Sequence, residues 1–192
     1  MAGHRERMVT SAALLIRERG ARPTAIADVL AHSGAPRGSA YHYFPGGRSQ
    51  LLCEAVDYAA DYVATAIRRA KTSVQMLDTA VRFYRDGLLD SDYRAGCPVM
   101  AVAVEAGDPD TGAEEIAHAA AAFGKWRELI ASRLLAEGVT RAQATDLATL
   151  VIAGLEGALV LARSEKDVAP LDAVARQLRG MLRAATGKGT PR

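Results

Sequence analysis

The feature that most constrains this chain is its punctuation. Apolar residues recur every three or four positions through most of the 192-residue sequence, and glycine or proline interrupts them at Gly20, Gly34, Pro45-Gly46-Gly47, Pro98, Gly107 to Gly112 and Gly138. That spacing places successive stripes on single faces of helices, and no run of alternating β-branched residues stands against it. An all-α fold of about nine helices is therefore expected.

Taken in order, Met8, Ala12, Leu15 and Ile16 mark a first helix from Arg5 to Arg19, stopped by Gly20. Thr24 is a suitable N-cap for a second helix with inner residues Ile26, Val29 and Leu30; its capping box is incomplete because Ala27 stands at the Glu/Gln position. Gly34 marks a turn. Pro36 fits the first turn of a third helix reaching Tyr43, too short and polar to stand alone, so Ala40 and Phe44 must pack inward. This leaves Arg37, Ser39, Tyr41 and His42 facing outward, the way a helix-turn-helix presents hydrogen-bonding groups to a DNA groove.

A fourth helix carries the stripe from Leu51 to Ile67, and a fifth the stripe from Met76 to Leu88, ended by Asp90 to Gly96. The apolar segment Pro98 to Glu105 suits a buried strand or helix, with helix preferred for want of a strand partner. Gly107 to Gly112 reads as a turn. A seventh helix spans Ala113 to Ala136, an eighth follows Thr140 to Arg163, and Leu171 to Leu182 form an amphipathic ninth before a polar tail. Leu147 to Ala162 carries one charge, Glu156, so this stretch must be covered on several sides.

Charge is local. Residues 1–50 hold seven arginines (5, 7, 17, 19, 22, 37, 48) against Glu6, Glu18 and Asp28, a balance of +4 in a chain of net +2, so the remainder is −2. A polyanion-binding surface belongs in that first part. Cys53 and Cys97 lie in apolar contexts without Cys-x-x-Cys or Cys/His spacing, which argues for buried reduced thiols and against a disulfide scaffold or metal site. The first residues are too polar for a signal peptide, and no apolar run is read as reaching the roughly 18 to 20 residues that span a bilayer. A soluble cytoplasmic protein without membrane association or cofactor is expected.

Thr24, Ile26-Ala27, the Gly34 turn, Gly38-Ser39, Tyr41, Phe44 and Leu51-Leu52 form an ordered pattern that resembles the DNA-binding domain of the TetR (tetracycline-repressor) family of bacterial transcriptional regulators. Gly34 to Gly47, with Gly96-Cys97-Pro98-Val99, looks like the LmrA/YxaF-like branch related to multidrug- and flavonoid-responsive repressors. The resemblance implies a helix-turn-helix domain at 1–50, a helical effector-binding and dimerisation domain at 51–186 and a polar tail at 187–192. It also implies a homodimeric repressor, nucleoid-associated when bound to a palindromic double-stranded DNA operator and released by a small apolar or aromatic effector.

By the same resemblance, Pro36, Arg37, Gly38, Ser39, Tyr41 and His42 form the recognition surface, while Thr24 and Arg48 meet phosphates. Arg37 suits bidentate reading of guanine. The sequence departs from many members at Pro36, where a capping Ser or Thr is usual, and at Arg48, where Lys is usual. Phe83, Tyr84, Met100, Val104, Phe123, Trp126 and Arg127 are candidates to line an effector cavity, with plain core packing as the alternative for each apolar one. Arg127, Glu105 and Glu156 need partners, each other or a charged ligand. Leu150, Gly154, Gly157, Ala158, Leu161 and Leu178 are candidates for the dimer interface, the small residues permitting close helix approach.

Two other readings compete. A helical enzyme lacks support in a Ser/His set, a His/carboxylate pair or a glycine-rich phosphate loop, since His4, His32, His42 and His118 are scattered along the sequence. A helical protein-interaction module with a basic N-terminal bundle would tolerate changes at Arg37 and Tyr41.

Overall fold

The computed structural model describes residues 3–105 and 112–187. Among them are nine α-helices and no strand: α1 His4–Arg19, α2 Ile26–Ser33, α3 Ala40–Tyr43, α4 Gly47–Arg69, α5 Ser73–Asp90, α6 Pro98–Glu105, α7 Ala113–Ala136, α8 Arg141–Glu165 and α9 Ala169–Ala185. The fold is all-α, as the periodicity requires. The turn expected at Gly107 to Gly112 and most of the 187–192 tail lie outside the described residues.

By packing, the chain divides into one unit of residues 1–61 with 97–122 and a second of 62–96 with 123–192; the chain passes between them within α4, α7 and the α5–α6 connection. In the first unit α1 packs on α2 and α6. Met8, Ala12 and Ile16 are fully buried on α1, and Gly20 ends it at φ 94° with its N–H donated to Ile16 O. In the second, α8 packs on α9, and both meet α5. Two cross-helix ion pairs rim those contacts, Arg85 with Asp172 and Arg179 with Asp78.

Three local expectations change. The N-cap of α2 is Ala25, one residue beyond Thr24, and the Asp28 carboxylate accepts from the Ala25 N–H at 3.1 Å, supplying the return half of a capping box. The third helix is a single turn: Ser39 donates both its N–H (2.9 Å) and its hydroxyl (2.7 Å) to Pro36 O, so residues 36–39 make a turn in place of the helix expected there. Gly38, the poorest helix former after proline, favours that outcome.

The third change concerns α8, whose most apolar 18-residue window has a mean hydropathy of 1.7, long and apolar enough to cross a membrane. This corrects the expectation that no stretch reaches that length. Packing supplies the physical reason: Leu147, Ala148, Val151, Leu155, Ala158, Leu159 and Ala162 are buried on one side of the helix. Gly154 admits α9, since a Cβ there would stand 3.2 Å from Val174 and 3.4 Å from Leu178.

Candidate nucleic-acid interface and effector cavity

α3 and the turn before it are held from beneath. Ala40 and Phe44 are each 1 % exposed, and the Arg5 guanidinium lies 5.4 Å over the Phe44 ring while pairing with Glu54 at 2.7 Å. Gly34 supplies the left-handed C-cap of α2 at φ 65°, with open space around it. The outward side chains are then fixed by backbone geometry. Pro36, Arg37, Gly38, Tyr41 and His42 are exposed, Ser39 is half-buried, and Tyr41 reaches 70 % exposure. The His42 ring meets Tyr43 edge-on at 5.2 Å, so it packs along the helix while remaining exposed.

Thr24 and Arg48, expected at phosphates, are bound to the protein's own backbone. Thr24 is 1 % exposed and its hydroxyl donates to Gly20 O at 2.7 Å. Arg48 donates from Nε to Thr24 O at 3.0 Å and from Nη2 to the carbonyls of Ala21 and Arg22. Together they close the α1–α2 loop over the start of α4. Other arginines of the basic N-terminal part are similarly engaged: Arg19 pairs with Asp28 at 3.3 Å and Arg7 meets His4 at 2.7 Å. Arg37 stands exposed in the turn before the short helix and Arg22 is exposed on the α1–α2 loop, where their charge is available to a polyanion.

Glu105 behaves differently from expectation. Its carboxylate accepts the Arg22 backbone N–H at 2.7 Å and sits against Gly20, so its partner is the α1–α2 loop, with neither Arg127 nor Glu156 involved. Arg127 is exposed on α7. Glu156 is 8 % exposed and lines a cavity of about 50 Å³ in the second unit with Val63, Met76, Ala80, Tyr84, Trp126 and Ile130 among its walls. Two of the expected ligand residues, Tyr84 and Trp126, thus line one cavity. The Phe83 ring meets Tyr62 at a tilt and Tyr84 edge-on, at 5.4 Å each, and Phe123 meets Trp126 edge-on at 5.6 Å. Met100 and Val104 belong to α6 in the other unit, and Val104 is 68 % exposed. Aliphatic walls such as Val63 and Ile130 escaped sequence reading because nothing distinguishes a cavity-lining aliphatic residue from a core one.

The residues expected at the dimer interface also separate. Ala158 (1 % exposed) and Leu178 (4 %) are buried within the protomer, and Gly154 is occupied by the approach of α9. Leu150 (41 %) and Leu161 (49 %) are exposed on α8 with Gly157, and they are joined by Val160 (46 %) and by Met181 (44 %) on α9. Cys53 is a buried free thiol, pushed up to about 11 by desolvation and by the nearby carboxylates of Glu114, Glu115 and Asp57.

Comparisons agree with this architecture. Residues 73–177 match the family described as transcriptional regulator LmrA/YxaF-like, C-terminal domain. An uncharacterised HTH-type transcriptional regulator of Mycobacterium tuberculosis is 58 % identical over 187 residues, 96 % of each chain. The HTH-type transcriptional regulator LmrA of Bacillus subtilis is 26 % identical over 87 % of this chain and 90 % of its own. Among solved structures, a TetR transcriptional regulator of Chloroflexus aurantiacus shares 32 % identity with a TM-score of 0.73 over 92 % of both chains. One from Legionella pneumophila, at 18 % identity, shares the fold with a TM-score of 0.81 over 95 % of this chain and 98 % of that one. The chain belongs to the TetR family of helix-turn-helix transcriptional regulators, with an LmrA/YxaF-like C-terminal domain, and is a regulator and not an enzyme.

Proposed function

We propose that the protein is a homodimeric repressor in the cytoplasm that reads a palindromic operator through Pro36, Arg37, Gly38, Ser39, Tyr41 and His42, and that leaves the DNA when an apolar or aromatic effector enters the second unit. The observation that carries the reading is the division of labour around α3. Ala40 and Phe44 are buried while Arg37 and Tyr41 stand exposed above them, a rigid base under a polar surface. Arg37 supplies the guanine-reading fork and Tyr41 a hydroxyl for phosphate or base edges. Thr24 and Arg48 then serve phosphate binding indirectly, by fixing the loop at the start of α2. The helix-turn-helix domain is taken as residues 1–50, with 51–186 for effector binding and dimerisation and 187–192 as a tail.

Dimerisation rests on the exposed apolar residues Leu150, Val160 and Leu161 of α8, with Gly157 beside them, and Met181 of α9. Two protomers joined there bring two recognition elements to half-sites spaced by one helical turn, ~34–36 Å. Effector binding rests on the cavity around Tyr84, Trp126 and Glu156. At about 50 Å³ it is far smaller than the roughly 300–1,000 Å³ of drug-sized ligand sites, so a ligand enters by selecting an opened form. That differential affinity is what a release mechanism needs.

Selection of bound fragments from random DNA by the full-length protein should recover two-fold-symmetric sites, and a subsequent screen of flat apolar compounds should release them. Failure to enrich any symmetric sequence at moderate salt would sink the operator reading. Enrichment that survives Arg37→Ala unchanged would remove Arg37 from it.

A further inference from the structure

Three side chains of different chemistry converge between α4 and the first turns of α7. Cys53 Sγ, a carboxylate oxygen of Glu114 and a ring nitrogen of His118 all lie within 4.8 Å of one another. Helical register brings this about: Ser49, Cys53 and Asp57 recur every four residues on α4, and Glu114 and His118 stand four apart on α7, so each helix directs one stripe to the same point. The stripes are already bonded across the gap. Ser49 Oγ donates to Glu114 Oε2 at 3.4 Å, and His118 Nδ1 lies 2.9 Å from Asp57 Oδ1.

We propose that Cys53, Glu114 and His118 bind a divalent transition-metal ion of the zinc type, with Asp57 orienting or completing the site through its bond to the imidazole. Thiolate, imidazole and carboxylate together match zinc and its close analogues, whereas magnesium and calcium take all-oxygen sets. Zinc bonds of about 2.0–2.3 Å put tetrahedral donors roughly 3.3–3.7 Å apart, so closure asks for about 1.5 Å of movement or less. Glu114 is exposed, and its carboxylate supplies that movement by giving up the long 3.4 Å bond from Ser49. Cys53 is 3 % exposed, which shields the sulfur, and Glu114, Glu115 and Asp57 make the surroundings negative. Binding replaces the thiol proton, which passes to solvent. A surface His–Asp pair and a carboxylate at a helix start are each stable without an ion; the thiol placed among them makes the set metal-selective.

The test uses full-length protein stripped by a chelator and titrated with Co²⁺. The unmodified chain should develop saturable sulfur-to-cobalt charge-transfer absorption at one ion per chain, bleached by Zn²⁺. Cys97→Ser should retain it and Cys53→Ser should lose it. Asp57→Asn should weaken Co²⁺ binding about ten- to a hundredfold, the usual loss for a group that orients a ligand. His118→Ala, at a half-exposed position that keeps the fold under chelator, should weaken it more than tenfold. Absence of the absorption in the unmodified chain, its persistence in Cys53→Ser, or undiminished affinity in His118→Ala would each overturn the site.

Discussion

α3 and α8 solve opposite problems. The first is four residues long, exposed and polar on its outer side, and it owes its existence to Ala40 and Phe44 beneath it. The second is 25 residues long, carries a single charge between Leu147 and Ala162, and buries its inner face on α9. A recognition element must leave its side chains unspent, so others hold it in place; an assembly element can be stable in itself and still leave an apolar face uncovered. The contrast also separates two kinds of glycine on α8. Gly154 is needed inside the protomer, whereas a Cβ on Gly157 would meet nothing within 4 Å.

Several substitutions would break or sharpen this comparison. Phe44→Ala should cost the most, about 3–5 kcal/mol, because it empties the base under α3; thermal melting followed by circular dichroism would show it, and a loss under 1 kcal/mol would mean that α3 does not depend on Phe44. Gly154→Val should cost about 1–3 kcal/mol by overpacking α9. Its counterpart Gly157→Val should leave a protomer's melting unchanged and shift sedimentation toward monomer. Equal melting losses at the two glycines would erase the distinction.

Arg48→Ala should cost about 1–3 kcal/mol, since carbonyls at Ala21, Arg22 and Thr24 lose their donor. Arg48→Lys should recover only part, one ammonium being unable to span them. The smallest stability effect is expected at Arg37→Ala, within about 0.5 kcal/mol for an exposed side chain. Operator affinity should nevertheless fall roughly ten- to a hundredfold, from about 1–3 kcal/mol of base readout. An affinity loss accompanied by unfolding would move Arg37 from the DNA surface to the scaffold.

The helices were legible because Gly20, Gly34, Pro98 and Gly138 close or open them at positions where backbone chemistry leaves few choices. Tyr84 and Trp126 were legible as cavity candidates because large aromatic groups are the common lining of apolar sites. Less legible was whatever depends on residues distant in sequence. Thr24 has the chemistry of a helix cap, and only the position of the Gly20 carbonyl commits its hydroxyl elsewhere. Arg48 reads as a phosphate ligand in sequence, where the three carbonyls its guanidinium binds are not visible. Cys53 and His118 show no metal-ligand spacing in sequence, because α4 and α7 supply the proximity. Gly154 and Gly157 are equivalent in sequence until α9 lies against one of them.

The grip of Arg48 has a consequence for motion. Its guanidinium joins the carbonyls of residues 21, 22 and 24 to the opening turn of α4, while the Thr24 N–H is donated to Ala21 O. Opening of the loop between α1 and α2 therefore requires Arg48 to release these carbonyls. In hydrogen exchange the Thr24 amide should open together with the first turn of α4 as one cooperative unit, and Arg48→Ala should split that unit in two.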